Sequence, residues 1–379
     1  MNWKKGTALV LAGAMSASVL LAGCGSKIDQ DAVVATLGDK EITLGFANFA
    51  AQYQAITYDS YFLSTYGEDM WSKDIFGSGS TLTESVKSMV MQNIETNYVL
   101  EQHMADYNVE ITEDELNKMK EAAAQFMEDN SSSTIKALGA KEEYVEEMLR
   151  LDKIQKRMKD AIEAETDTEV SDDEAAQRTF SYIQISGSGY YDDDNKFVQY
   201  TDEEKTALAD TVKDVAAAAK EDFDTAAETN GYTVKYYSYG SEEDNSTMDA
   251  AVTTAADGLK EGEISDLITT DSGDYYIIRL DKEFDEDATA TRKDEIVTER
   301  KTTHYNEVLD GYKEEDGFEI KEDVWAAVNF DELYTVKTTQ ADTEAVSDTE
   351  AATETGTNTD TEAATETATD TEAVGNTEQ

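Results

Sequence analysis

The stretch Gly258-Leu259-Lys260-Glu261-Gly262-Glu263-Ile264-Ser265, with the later run Ser272-Gly273-Asp274-Tyr275-Tyr276-Ile277-Ile278-Arg279-Leu280, decides the fold of the chain's middle. Tyr275 to Leu280 is rich in aromatic and β-branched residues and reads as a closing strand. Working outward, Phe180-Ser181-Tyr182-Ile183-Gln184-Ile185 alternates as a half-buried strand does, and Thr233 to Tyr239 reads as another. Between them, Glu203 to Phe223 places Leu208, Val212, Val215 and Ala219 on one helical face. Strands separated by helices over this length predict a compact α+β domain. The Asp192-Asp193-Asp194 cluster lacks the spacing and the glycine of an EF-hand, so the segment reads as a solvated polar loop.

On both sides of this domain the pattern becomes helical. Ala32 to Thr43 is a β-rich run interrupted by a Gly38-Asp39 turn, and Thr43 can cap the helix that follows. Thr83 to Tyr107 carries Val86, Val90, Ile94, Tyr98 and Val99 on one stripe. Thr112-x-x-Glu115 is a capping box, and Lys141 to Ile162 is a further amphipathic helix. After the α+β domain, Arg292 to Leu333 shows a helical face of Ile296, Tyr305, Val308 and Leu309 that suits packing on the earlier helices. The α+β domain is therefore expected as an insertion between two parts of one helical domain.

Composition excludes several functions. The 379 residues contain 83 Asp plus Glu against 31 Lys plus Arg, a formal charge of -52, which repels nucleic acid and anionic lipid. One cysteine rules out a disulfide framework and a Cys-based zinc site. His103 and His304 are far apart in sequence, so neither a metal centre nor catalysis by a histidine pair is expected, and no cofactor is implied.

At the N-terminus, Lys4 and Lys5 precede an apolar stretch that ends in Leu21-Ala22-Gly23-Cys24. This run resembles the bacterial lipobox, which implies removal of residues 1–23, lipidation of Cys24 and a short linker over 24–30. The expected location is the extracytoplasmic face of the cell membrane, with the bilayer as a partner through that anchor. At the other end, residues 340–379 hold 11 acidic residues, 12 threonines and no Lys or Arg. Lacking large apolar residues, the tail from about 336 is expected to be disordered.

The order lipobox, β start, helical domain, α+β domain and returning helix resembles the PrsA-type foldase lipoproteins and, more distantly, SurA-type chaperones. The Gly258–Ser265 and Ser272–Leu280 segments look like the end of a parvulin-type rotamase domain, Phe180 to Ile185 like its first strand, and Glu221-Asp222-Phe223-Asp224 like the end of its first helix. The resemblance implies a helical chaperone part over 31–170, a parvulin-like domain over 171–285 and a returning helix over 286–335. Matching the family's pocket motif residue by residue gives Tyr182 and Tyr276 at the two histidine positions. Met248 matches the methionine, Val252 the phenylalanine, and Tyr237 a further aromatic. The segment that carries an Asp or Cys in the family is missing, since Glu228 to Gly231 runs straight into the next strand.

Rotation about a prolyl amide meets a barrier of about 20 kcal/mol. A rotamase lowers it with a dry apolar clasp and polar groups matched to the twisted amide, without proton transfer. The same residues read structurally as a packed cross-strand aromatic pair. Three functions follow. The first is a membrane-tethered foldase or chaperone for unfolded exported polypeptides, possible as a homodimer, with a weak or inactive rotamase domain. The second is an active peptidyl-prolyl isomerase with a variant pocket. The third is a surface binding lipoprotein unrelated to folding.

Overall fold

The computed structural model describes residues 28–192, 194–240 and 247–330. Cys24 with the leader expected before it, the short linker up to residue 27, Asp193 and the acidic tail lie outside the described residues.

The chain opens with a hairpin, β1 (Val33–Leu37) and β2 (Lys40–Thr43), which turns at Gly38 with φ +55° and pairs Leu37 with Lys40. The Thr43 hydroxyl then accepts the Phe46 N–H at 3.4 Å and caps α1 (Leu44–Tyr66). Helices α2 (Leu82–Gln102), α3 (Glu113–Asp129), α4 (Ser132–Leu138) and α5 (Glu142–Glu163) follow, and α2 and α3 each start on a complete Thr-x-x-Glu capping box. Among the described residues no helix is long and apolar enough to cross a membrane.

A short helix, α6 (Asp172–Ala175), leads into the inserted domain. Its elements are β3 (Arg178–Ile185), β4 (Gly189–Tyr191), β5 (Phe197–Gln199), α7 (Asp202–Glu221), α8 (Phe223–Thr229), β6 (Lys235–Tyr239), α9 (Ala250–Asp257), β7 (Ile268–Thr269) and β8 (Tyr275–Lys282). The main sheet has the order β6-β3-β8-β7 and every pairing in it is antiparallel. Because side chains alternate across a strand, Ile183, Ile185 and Ile277 face α7 and α8, while Phe180, Ile278 and Leu280 face α9.

The chain returns through α10 (Glu286–Asp316), β9 (Phe318–Ile320) and α11 (Glu322–Trp325). Tyr305, Val308, Leu309 and Tyr312 pack into the core built by α1, α2, α3 and α5, and Trp325 and Phe330 are buried in it. The expected architecture, a two-part helical domain with an α+β insertion, is the one observed. At the neck between the two parts, the Gln177 carbonyl accepts the Asp285 N–H at 2.7 Å, and the Thr289 hydroxyl accepts the Gln177 N–H at 3.1 Å.

Four details differ from the sequence reading. The returning helix, capped by Asp285, starts at the expected Glu286, but it stops well short of 335, at Asp316, after which Gly317 takes φ +66°. Phe318 to Ile320 is a strand that extends the opening hairpin to the order β2-β1-β9, pairing Ala35 with Ile320. The helix expected to Phe223 breaks at Asp222, whose carboxylate accepts the Thr225 N–H at 3.0 Å and begins α8. The segment after β3 is a hairpin rather than a loop, with Tyr191 paired to Phe197.

Candidate functional site

The Gly258–Ser265 motif is explained by its pairing with β8. Gly262 adopts φ +83°, open to glycine, and its N–H reaches the Leu280 carbonyl at 2.7 Å. The Leu280 N–H returns to the Glu263 carbonyl at 3.0 Å, and the buried Ser265 hydroxyl accepts the Ile278 N–H at 3.0 Å. This lacing ties the motif to β8, while the β3–β8 ladder sets which of its side chains face α9.

All five positions singled out from the sequence meet on that face. Tyr276 and Val252 are buried members of one apolar cluster, and Tyr182, Tyr237 and Met248 pack against it half-buried. Tyr182 stands opposite Ile278 and Gln184 opposite Tyr276, so the two tyrosines are diagonal neighbours across the strand pair. Their rings lie 5.9 Å apart at 36°. Phe180 sits beneath Tyr182 at 6.0 Å, Tyr237 at 5.6 Å and Tyr239 at 5.6 Å. Phe180, Tyr239 and Ile278 were not singled out as site residues. The alternation along β3 was the available signal, since it places Phe180 on the same face as Tyr182.

Polar groups surround the cluster without forming a proton-transfer set. Tyr276 is 8% exposed, and burial pushes its phenol up, with Asp274, Tyr182 and Asp249 adding to the shift. The Tyr237 hydroxyl lies 3.1 Å from that of Thr247. Tyr239 donates to Asp257 at 2.9 Å and accepts from Arg178 at 3.1 Å, and burial raises its phenol first, with Asp257 second. The Lys235 ammonium lies 5.9 Å from the centre of the Tyr182 ring. Val252, on α9, is 0% exposed and packs into the apolar cluster on the sheet, so it walls no open pocket. Among the described residues no group of His, Cys, Asp and Glu could hold a metal ion.

The two histidines lie elsewhere. His103 caps the end of α2, with Nδ1 2.8 Å from Asp106, and its ring stacks on Tyr312 at 3.5 Å. Its Nε2 is 3.3 Å from Asp316 but outside hydrogen-bond geometry. It is thus a side chain that ties α2 to α10, and His304 borders a separate groove on α10 with Ile296 and Arg300.

Residues 188–292 match the PPIC-type PPIASE domain family. The matched stretch contains Tyr237, Met248, Val252 and Tyr276; β3, with Tyr182, precedes it. No curated protein matches the chain. Similar solved structures include the foldase protein PrsA of Lactococcus lactis, at 17% identity and TM-score 0.33, covering 78% of this chain and 97% of that one. PrsA of Bacillus cereus is similar at 19% identity and TM-score 0.28, covering 72% and 98%. A SurA-like chaperone of Campylobacter jejuni is similar at 10% identity and TM-score 0.26, covering 76% and 99%. The rotamase-type domain expected from the sequence is thus matched by a PPIC-type family, and in the fold it lies between the two parts of a helical body.

Proposed function

We propose that this chain is an extracytoplasmic foldase, anchored to the membrane by lipid at Cys24, that holds unfolded exported polypeptides and whose rotamase-type domain is weak or inactive. The observation that carries the reading is the PPIC-type domain at 188–292 inserted into a two-part helical body, with the residues that match the family's pocket motif gathered in one apolar cluster. A proline ring needs an apolar recess beside polar groups that stabilise the twisted amide. Here Val252 is sealed, Tyr276 is nearly so, and the two histidine positions hold tyrosines packed ring against ring.

The test has three arms. The chain should slow aggregation of a chemically unfolded protein. It should leave the cis-trans relaxation of a proline peptide at its uncatalysed rate. Cys24→Ser should release the protein from membranes. Absence of any anti-aggregation effect refutes the foldase reading, and unchanged membrane retention of the Cys24→Ser variant refutes the anchor.

The convergence of Tyr182, Tyr237, Met248 and Tyr276 on one face favours a second reading, an active isomerase with a variant pocket. Acceleration of the proline peptide by the wild type, lost in Tyr276→Phe, would establish it.

A further inference from the structure

The helical body leaves one aromatic face uncovered. In its second half α1 carries Tyr58, Phe62 and Tyr66 in sequence, with rings 5.6 Å and 5.8 Å apart. Phe76, from the segment joining α1 to α2, meets Phe62 edge-on at 6.0 Å, and the Tyr58 hydroxyl donates to the Met89 sulfur at 3.5 Å. Phe76 is 51% exposed, Met89 43% and Tyr66 37%, so a contiguous apolar surface faces solvent. Scattered apolar residues on a surface need no explanation, but a connected group of this size does.

The surface is built on fixed supports. Trp71, beneath Tyr58, donates from its indole to the buried Asp59 at 3.0 Å and packs on Phe330 at 4.5 Å. The joining segment is held by the Asp74 carboxylate, which accepts the Ser78 N–H at 3.0 Å and the Gly79 N–H at 2.7 Å. Lys73 is held by the Tyr66 carbonyl at 2.6 Å and by Asp69. Rings fixed before binding lose little entropy when a partner arrives.

Charge selects the occupant. Residues 67–80 carry Glu68, Asp69 and Asp74 against Lys73 alone, and the whole chain carries -52. A second copy brings the same charge, and the chain's own residues 340–379 bring 11 acidic groups and no basic one. Both are repelled. A segment with Lys or Arg between apolar side chains is attracted, because its cations gain both the acidic rim and the ring faces.

We propose that this face of α1 and the following segment is a docking surface for extended, cationic and apolar polypeptide segments. The inference rests on the foldase reading and names the surface and the client class within it. The experiment uses the full chain and a labelled peptide of about 15 residues that alternates Lys with Leu and Phe, beside a twin with Glu for every Lys. The Lys peptide should bind, more weakly as salt rises, and the Glu twin should not. Tyr66→Ser with Phe76→Ser should weaken binding by about tenfold, the worth of two lost ring contacts. Tyr191→Ser on the β4–β5 hairpin should change nothing. Phe76→Lys, a single change at an exposed site, should also weaken binding and serves if the double variant is poorly folded.

Equal binding of both peptides, or variants that bind as the wild type does, overturns the proposal. So does a doubled solution mass that falls to the monomer in the double variant, since a second copy then occupies the face. Tighter peptide binding after removal of residues 331–379 overturns it as well, because the tail is then the occupant. If the wild type slows aggregation of an unfolded protein while the variants bind the Lys peptide normally, this surface is wrong and the foldase reading stands. If the wild type does neither, both fall.

Discussion

In the inserted domain the aromatic residues at the rotamase pocket positions turn inward: Tyr276 is 8% exposed, and Tyr182, Tyr237 and Tyr239 gather around the buried Phe180. In the helical body the aromatic residues at the end of α1 turn outward, with Phe76 at 51% and Tyr66 at 37%. Both groups are connected ring clusters on well-supported elements, so the difference is not one of order. In the first, the rings that match the family's pocket motif are used for packing. In the second, rings exceed what the core needs and remain available. Under the proposed function, the comparison teaches that a domain's family and its working surface can part, with handling of polypeptide assigned to the helical body.

The sharpest way to break this comparison is to remove a ring from the inward cluster. Tyr276→Ala should destabilise the inserted domain by about 3 kcal/mol, as large-to-small core changes do, measured by denaturant unfolding. Anti-aggregation activity should hardly change, and a large loss of activity at full domain stability would show that Tyr276 serves the client rather than the core.

The neck between the regions is the next place to press. The Asp285 carboxylate accepts the Thr179 hydroxyl at 2.7 Å, Lys282 at 2.9 Å and the Ala288 N–H at 3.3 Å. Burial opposes its ionisation, but those bonds prevail and hold it below the usual carboxylate range. Asp285→Ala should cost about 1 kcal/mol, because it leaves the half-buried Thr179 hydroxyl and Ala288 N–H without their acceptor. The sign for pH follows from the lowered value. The stabilisation is complete above the unfolded carboxylate pKa and is lost as pH falls through the folded one, so acid should loosen the neck in the wild type and have less effect in the variant.

An effect of similar size is expected at the start of α3. Glu115 is lowered to about 2, first by the Thr112 N–H and then by the Arg157 guanidinium beside it. Thr112→Ala should cost about 1 kcal/mol. Carboxylate titration followed by NMR should show Glu115 rising only slightly and staying well below its ordinary value, because the variant loses the Thr112 hydroxyl bond but keeps the backbone N–H of residue 112 and the Arg157 guanidinium. In the wild type the contribution of this cap is full above that ordinary value and fades as pH falls through about 2.

What the sequence disclosed and what it withheld divide along physical lines. The opening hairpin, the Thr43 cap and the Thr112 capping box were legible because each is written within a few adjacent residues. The closing strand and Gly262 were legible through a family motif, and the structure supplies its reason in the backbone lacing to Leu280 and Ile278. β9 was not legible as a strand. Three residues carry no periodicity, and its partner Ala35 is nearly the whole described chain away. The hairpin after β3 was masked by its acidic turn, although Tyr191 and Phe197 pair across it. At the site, the candidate positions came from the resemblance to a family motif, but their depth could not be read. That Val252 is sealed and Tyr276 nearly so depends on how α9 settles over the sheet, which no local pattern encodes.

The most direct test of the central claim removes the inserted domain altogether. Because Asp285 N–H and Gln177 C=O are hydrogen-bonded at 2.7 Å, the cut ends already lie side by side, and a short glycine linker can replace residues 178–284. Suppression of aggregation of an unfolded basic protein is then compared between the full chain and the deletion, with circular dichroism reporting the helices. We expect the deletion to keep most of the activity with its helical signal intact. Loss of activity in a helical body that remains folded would contradict the account and return the work to the rotamase-type domain.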